Sequence, residues 1–106
     1  MLLCVRVPCS PSLPLLSRKN DVAIDDIKCL LPHQPSIRIL QEVARKIGLP
    51  FEKVKTNMDR YANTSGGTIP IITDEVLRNE KFSGGDLVLF AAVGAGWTWG
   101  AGLYRC

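Results

Sequence analysis

The chain has 106 residues, enough for one small domain with a modest core. Hydrophobic residues make up 46% of it and charged residues 22%, which are ordinary globular values and exclude a disordered, collagen-like or coiled-coil chain. The net charge of +3 comes from scattered basic residues, and the longest apolar run, 87–93, is far shorter than the roughly 20 residues of a membrane span. We therefore expect neither nucleic-acid binding nor a transmembrane segment.

The first 21 residues differ in composition from the rest of the chain. Leu, Pro and Ser dominate them, and the first acidic residue is Asp21. The apolar run at the start is short and is interrupted by Arg6, which is not the pattern of a secretory signal peptide. We expect an irregular leader over residues 1–21, either transit-like or non-native, and one domain over residues 22–106.

The predicted elements begin with a short cap at 22–26 and a strand at 27–31. A helix is expected over 36–47, because apolar residues recur at the spacing of one helical face, at positions 37, 40, 44 and 47. Gly48 is the expected stop signal of this helix.

The next elements are less regular. Val54–Met58 is weakly strand-like. A second helix is expected from Ser65 onward, with Glu75 and Arg78 facing outward and with an apolar face made of Ile69, Ile72 and Val76. The pair Gly66–Gly67 near its start disfavours a helix, which suggests close approach by another segment.

The C-terminal part of the chain predicts two adjoining strands. Residues 87–93 are continuously apolar, which favours a strand buried on both faces at the centre of a sheet. A tight connection at 94–96 leads into a second strand over 97–105. Trp97 and Trp99 share one face of that strand, and we expect them to pack in a core or an interface rather than to bind a ligand.

His33 is the only histidine in the chain. It lies where a buried strand hands over to a helix, and α/β folds place their chemistry at such points. A lone histidine is nevertheless more often a surface or core residue than a catalytic one. Its candidacy depends on two other features, Asn63 and the glycine turn at 94–96.

The four cysteines do not indicate a metal site, because none of them is closely paired with another. Cys29 falls inside a buried strand, and Cys106 is the last residue. None of the four precedes a helix start that would lower a thiol pKa, so we expect none to be a nucleophile. A reducing, intracellular location is the default expectation.

Three motifs together resemble the C-terminal region of β-ketoacyl-acyl carrier protein synthase III. They are Leu-Leu-Pro-His-Gln at 30–34, Tyr-Ala-Asn-Thr-Ser-Gly-Gly-Thr-Ile-Pro at 61–70, and Gly-Asp-Leu-Val-Leu with Val-Gly-Ala-Gly-Trp-Thr-Trp-Gly-Ala at 85–101. The resemblance runs from about residue 24 to residue 104 and keeps the family's spacing. It implies an α/β chain that is the C-terminal half of a thiolase-like αβαβα fold, a mixed sheet with helices that is incomplete here.

The resemblance also implies a function. It identifies the chain as the C-terminal portion of a 3-oxoacyl-acyl carrier protein synthase III type acyltransferase of fatty-acid biosynthesis. His33 and Asn63 match the histidine and asparagine of a Cys-His-Asn catalytic set, and the backbone of Ala95 matches an oxyanion-hole donor. The nucleophilic cysteine of this family lies in the first half of the enzyme. The isolated chain is therefore expected to be inactive in the decarboxylative Claisen condensation of an acyl thioester with malonyl-acyl carrier protein.

The binding partners follow from the same resemblance. Arg38, Arg45 and Lys46 match the docking surface for acyl carrier protein, although the pattern alone equally fits a solvated helix face with an ion pair between Arg38 and Glu42. Ser36 stands where the family commonly has an asparagine that contacts the pantetheine arm. Acyl-coenzyme A and acyl carrier protein thioesters are substrates, and no cofactor is implied. The complete enzyme is expected to be a cytoplasmic homodimer that includes the missing N-terminal half.

Two alternatives stay open on the sequence. The chain could be a non-catalytic truncated fragment, at most a binding module for acyl carrier protein or coenzyme A thioesters. A starter acyltransferase, a polyketide synthase or a hydroxymethylglutaryl synthase would share the same histidine and asparagine. The starter acyl unit and its chain length are not encoded in any pattern that we recognise.

Overall fold

The computed structural model describes residues 3–5, 18–96 and 98–106. One mixed sheet has the strand order β1-β4-β3-β2. Its strands are Leu3–Val5 (β1), Ile27–Pro32 (β2), Leu87–Gly94 (β3) and Thr98–Arg105 (β4). The helices are Ile37–Ile47 (α1), Met58–Tyr61 (α2) and Thr68–Asn79 (α3), and short 3₁₀ turns lie at Ile24–Asp26, Phe51–Lys53 and Ser65–Gly67. The predicted α/β class with a mixed sheet is confirmed.

The parallel pair of β2 and β3 forms one side of the sheet, and in this pair Leu30 is opposite Leu89. Successive side chains of a strand point to opposite faces, so these two apolar strands supply two cores. The first core contains Leu30 and Leu89 together with Leu40 of α1. The second contains Leu31 and Val88 of the strands together with Ile72 of α3. The sheet is therefore packed between α1 and α3.

Helix α1 begins one residue later than predicted and ends where predicted. Leu40 and Ala44 are buried, whereas Ile37 in the first turn is 40% exposed. Gly48 takes a left-handed φ of 74°. Its N–H bonds to the Arg45 carbonyl at 3.3 Å, and the Leu49 N–H bonds to the Ala44 carbonyl at 3.0 Å. This pair of bonds is the Schellman arrangement, in which glycine adopts the left-handed conformation at little cost.

The weak strand predicted at Val54–Met58 is wrong except at its first residue. Val54 forms an isolated parallel bridge to Leu30, and the Lys55 N–H bonds to the Leu30 carbonyl at 2.9 Å. The ladder stops there, because the next backbone groups bond to a side chain and because α2 begins at Met58. The second predicted helix begins at Thr68 rather than Ser65, after the 3₁₀ turn.

Strand β3 is the central strand, as predicted, but only its first half is buried. Leu87, Val88 and Leu89 are buried, whereas residues 90–94 are half-buried or exposed. Phe90 and Ala91 in this half pack partly against the two cores, and the hairpin to β4 follows. The predicted tight connection at 94–96 is confirmed, with Gly94 paired to Thr98.

The predicted irregular leader is wrong at Leu3–Val5, which pair with β4 in an antiparallel register. The sheet edge of β4 offers unpaired backbone groups that an extended segment can satisfy. The rest of the leader up to residue 17 lies outside the described residues, as does Trp97. Among the described helices, none is long and apolar enough to cross a membrane.

Candidate functional site

The three features singled out in the sequence line one open cleft of ≈ 1200 Å³. His33 comes from the end of β2, Asn63 from the segment between α2 and α3, and Ala95 from the hairpin between β3 and β4. The cleft is formed at the carboxyl ends of the parallel strands β2 and β3, which is the usual location of ligand sites in α/β sheets. The fold therefore brings together residues that are far apart in sequence.

His33 is the first residue after β2, and its backbone is held by β3. Its N–H donates to the carbonyl of Ala91 at 2.7 Å, which extends the parallel ladder by one bond. The residue is half-buried. His33 lines the cleft and also an adjoining apolar pocket that includes Ile39 and Trp99. The hydrogen-bonded strand end thus fixes the backbone of His33 at the wall of the cleft.

Asn63 is exposed at the cleft, and its carboxamide is oriented by a local hydrogen bond. The Ser65 N–H donates to Asn63 Oδ1 at 2.9 Å, an Asx-type turn. With the oxygen engaged in this way, the amide nitrogen Nδ2 donates to no residue within the described part of the chain. The turn therefore leaves the neutral Nδ2–H donor of this cleft-lining residue available to a ligand.

The backbone around Asn63 is strained. Ala62 has φ 54° and ψ −150°, and Ser65 has φ 53°, values that non-glycine residues rarely adopt. Two neighbouring interactions hold the turn. Thr68 Oγ1 donates to the Ser65 carbonyl at 2.9 Å, and Thr64 Oγ1 lies 3.1 Å from Thr68 Oγ1. Strain of this kind persists only where surrounding contacts determine the conformation.

The substitution Ala62→Gly is expected to stabilise the chain by about 1 kcal/mol. It removes strain of roughly 1–3 kcal/mol, and the greater flexibility of glycine in the unfolded chain costs roughly 0.5–1 kcal/mol. Urea unfolding followed by tryptophan fluorescence measures the difference. Ala23→Gly is the matched control, because Ala23 is also exposed but has φ −74°, and we expect it to destabilise. Equal effects of the two substitutions would contradict the strain.

The tip of the hairpin between β3 and β4 includes a backbone N–H group that makes no hydrogen bond within the described residues. Ala95 is exposed, and its N–H donates to no carbonyl within residues 18–96 and 98–106. Gly96 has φ +93°, a conformation that a side chain would strain. A cleft-lining N–H without an intramolecular acceptor is a ready hydrogen-bond donor for a ligand.

The two glycines just before α3 are not closely packed against other described residues. Gly66 lines the cleft, and nothing lies within 4 Å of the position that a Cβ on Gly66 would occupy. Gly67 has only ordinary contacts, the nearest at 3.6 Å to Ile71. The close approach predicted for this pair is therefore not made by any described residue.

The predicted carrier-binding residues lie on α1 and not in the cleft. Arg38, Arg45 and Lys46 are exposed, and Ser36, the residue before the helix, is half-buried. The predicted ion pair between Arg38 and Glu42 is wrong. Glu42 instead pairs with Arg45 at 2.8 Å, and a hydrogen bond from Arg45 holds the pKa of the Glu42 carboxyl below its usual value. An acidic residue that precedes its basic partner suits the helix dipole better than the reverse order.

Cys29 is fully buried in the second core. Burial raises the pKa of its thiol from 9.0 to about 11, so the thiolate that a nucleophile requires does not form near neutral pH. Cys106 is exposed at the chain end. Of the four cysteines, Cys9 lies outside the described residues, and Cys4 is described only as part of the backbone of β1.

The buried thiol predicts a pH dependence of stability. The unfolded chain releases the Cys29 proton near pH 9 and the folded chain only near pH 11. The unfolded state thus binds fewer protons in this window, and the free energy of unfolding should fall as pH rises through it, by roughly 2 to 3 kcal/mol in all. Urea unfolding at several pH values tests this. Cys29→Ala, less stable throughout, should lack this component, and parallel slopes for the two proteins would refute the prediction.

Within the part of the chain that the structure describes, no group of three or more His, Cys, Asp or Glu side chains is arranged to hold a metal ion.

Comparison with known proteins identifies the family of the chain. Residues 17–106 match the protein family described as 3-oxoacyl-[acyl-carrier-protein (ACP)] synthase III C terminal. The chain belongs to this family. It is 48% identical over 84 residues to the β-ketoacyl-[acyl-carrier-protein] synthase III of Erythrobacter litoralis, an alignment that covers 79% of the chain and 26% of that protein. The predicted domain start at residue 22 stays a prediction, since the family match begins at residue 17.

Solved synthase III structures have the same fold. The enzyme of Aquifex aeolicus superposes with a TM-score of 0.87 at 37% identity, over 92% of this chain and 32% of that one. The enzyme of Thermus thermophilus gives 0.84 at 34% identity, over 92% and 30% of the two chains. The chain therefore has the architecture of the C-terminal half of a thiolase-like fold and spans about a third or less of these synthases.

Sequence reasoning missed the buried polar residues that lie near His33 and Asn63 in the sequence. Gln34, Asn57 and Thr68 are the buried polar residues of the described part of the chain. Glu75 was predicted to face outward, but this is wrong, because it accepts from Asn57 Nδ2 at 3.2 Å and pairs with Arg60. Arg78 does face outward, paired with Asp74. Only the position of Gln34, next to His33 and between two prolines, could have drawn attention to this group.

Proposed function

We propose that the chain contributes His33, Asn63 and the Ala95 backbone to a 3-oxoacyl-acyl carrier protein synthase III. The observation that carries the proposal is that these three features converge on one cleft in a chain of this family. The reaction is the decarboxylative Claisen condensation of an acyl thioester with malonyl-acyl carrier protein in fatty-acid biosynthesis. The substrates are coenzyme A and acyl carrier protein thioesters, and the reaction uses no cofactor.

The chemistry requires two neutral donors and a separate backbone donor. When the malonyl thioester loses carbon dioxide, the electron pair of the broken carbon–carbon bond forms an enolate with its charge on the thioester oxygen. The ring N–H of His33 and the Nδ2–H of Asn63 donate to that oxygen as its charge develops. The Ala95 N–H donates instead to the acyl carbonyl on the cysteine. The enolate carbon attacks this carbonyl, and the cysteine leaves as thiolate.

The nucleophilic cysteine comes from outside this chain. Cys29 is buried with a raised thiol pKa, and the synthases that the chain matches are about three times its length. The chain alone is therefore proposed to be silent in condensation. When complete, the enzyme is proposed to be a homodimer whose α1 face, with Arg38, Arg45, Lys46 and Ser36, receives the acidic acyl carrier protein and its pantetheine arm.

The test compares the full chain alone with the same chain co-expressed with the part of the Aquifex aeolicus synthase that it does not match, here named the complemented enzyme. After incubation with acetyl-coenzyme A, intact mass should show no adduct on the chain alone and one acetyl group on the Aquifex aeolicus part. Addition of malonyl-acyl carrier protein should then yield a 3-ketoacyl product.

Two outcomes would change this assignment. A stoichiometric acetyl adduct on one of the chain's own cysteines would mean that the nucleophile is not missing. A complemented enzyme that assembles and binds acyl carrier protein but forms no product would favour the second candidate, a non-catalytic binding module. That candidate is supported by the short span of the chain relative to its relatives.

A further inference from the structure

The buried polar residues of the described part of the chain lie close in sequence to His33 or Asn63. Gln34, Asn57 and Thr68 are 0%, 2% and 1% exposed, and each lies within six residues of His33 or Asn63 in the sequence. Burial of a polar side chain is unfavourable unless its hydrogen bonds are made. All buried side-chain polar atoms that the structure describes do have partners. The hydrogen-bond partners of Gln34 indicate the role of this residue.

Gln34 joins the loop that carries His33 to a second segment. Its Nε2 donates to the carbonyl of Pro32 at 3.0 Å and to that of Lys55 at 3.1 Å. Its Oε1 accepts from the Asn57 N–H at 3.3 Å. One side chain thus binds the residue before His33 and two backbone groups more than twenty residues further along the chain. The His33 N–H is itself held by Ala91, so the backbone of His33 is fixed from both sides.

Asn57 links Gln34 to the segment that contains Asn63. Its carbonyl accepts from the N–H groups of Arg60 and Tyr61 at 3.1 and 3.0 Å, which forms the single turn of α2. That turn leads directly into Ala62 and Asn63. The Asn57 side chain donates to Glu75 at 3.2 Å, and Glu75 anchors it on α3.

We propose that Gln34 is a positioning residue that sets the distance between His33 and Asn63. The proposal rests on the function proposed above, in which both side chains donate to one enolate oxygen. Two donors stabilise the same atom only if they converge on it to within a few tenths of an ångström, and a misplacement of about 1 Å costs on the order of 100-fold in rate. Among the described residues, Gln34 is the side chain whose hydrogen bonds tie the His33 loop to the segment that leads to Asn63.

The substitution Gln34→Met tests this role, because it keeps the length and approximate volume of the side chain and removes every hydrogen bond. Gln34→Asn keeps the carboxamide but shortens the side chain by one methylene, so that it cannot reach Pro32, Lys55 and Asn57 together. It serves as the milder variant and carries the whole test if Gln34→Met does not fold. Thr73→Val is the matched control, since Thr73 also hydrogen-bonds a backbone carbonyl, that of Ile69 at 2.6 Å, but lies outside the Gln34–Asn57 connection.

The first measurement uses the isolated full chain and nuclear magnetic resonance. In Gln34→Met, the ring signals of His33 and the side-chain amide signals of Asn63 should both shift or broaden through microsecond-to-millisecond exchange. The backbone amide signals should keep the dispersion of a folded protein. Thr73→Val should change neither. If the Asn63 signal is unchanged when that of His33 moves, Gln34 does not connect the two residues and the proposal is wrong.

The second measurement uses the complemented enzyme. Gln34→Met should lower kcat for condensation by about 10- to 100-fold, with KM for malonyl-acyl carrier protein and the rate of cysteine acetylation unchanged. Gln34→Asn should show a smaller loss, and Thr73→Val none. A merely structural role would reduce the amount of folded enzyme and lower acetylation and condensation together, which would overturn the proposal.

The two measurements separate this proposal from the proposed function. If the unsubstituted complemented enzyme does not condense, the proposed function fails, and the signals of His33 and Asn63 still decide whether Gln34 connects them. If that enzyme condenses and Gln34→Met condenses equally fast, the proposed function stands and the role of Gln34 is refuted.

Discussion

In the complemented enzyme, His33→Ala and Asn63→Ala are each expected to lower the rate of condensation by about 10²- to 10³-fold, the usual cost of removing one oxyanion donor. Both residues line the cleft, and the Asn63 oxygen is engaged by the Ser65 N–H, which leaves the amide nitrogen as the available donor. Acetylation of the cysteine should continue in both variants, because it precedes formation of the enolate. Quenched-flow measurement of acetyl-enzyme and 3-ketoacyl product separates the two steps.

Two further variants make this prediction specific. Asn63→Asp replaces the donor by a carboxylate of the same shape, and its charge repels the enolate, so we expect a loss at least as large as that of Asn63→Ala. Asn79→Ala is the control, because Asn79 is an exposed asparagine at the end of α3. Loss of acetylation together with condensation in Asn63→Ala would show that the residue supports the fold or the cysteine instead of the enolate.

The parts of the fold that follow local rules were predictable. Helix α1 is marked by apolar spacing and by Gly48, and the parallel core strands are marked by continuous apolar runs. Burial along β3 was overestimated, because the sequence does not show where the covering helices end. How much of the strand the helices cover depends on tertiary packing, and a run of apolar residues in the sequence does not reveal this.

The residues of the site could be predicted from the sequence, but the hydrogen bonds that hold them in place could not. His33, Asn63 and Ala95 were identified from motifs, and the structure places them in one cleft. The Gln34 bonds could not be predicted, because they reach backbone atoms, and any residue supplies the same carbonyl or N–H. The inward position of Glu75 was missed for a related reason, since its partner Asn57 lies in the segment that was assigned wrongly and its partner Arg60 lies in the short helix α2, which was not predicted.

The hairpin residue Ala95 provides a test that distinguishes the two charge-stabilising sites. Ala95→Pro removes the backbone N–H proposed to donate to the acyl carbonyl. Its structural cost should be small, because this N–H makes no hydrogen bond within the described part of the chain and because the preceding residue is the last residue of β3, whose extended conformation is the one that a following proline favours.

The expected result of Ala95→Pro is a loss of about 10²- to 10³-fold in cysteine acetylation and in condensation alike. Both steps pass through a negatively charged tetrahedral intermediate on the acyl carbonyl, whereas the enolate forms only in condensation. Ala95→Ser is the matched control, because it changes the side chain and keeps the N–H, and we expect near-normal rates. If Ala95→Pro instead slowed condensation alone, as predicted for His33→Ala, the Ala95 N–H would belong to the enolate site, and the acyl carbonyl would need a donor from the rest of the enzyme.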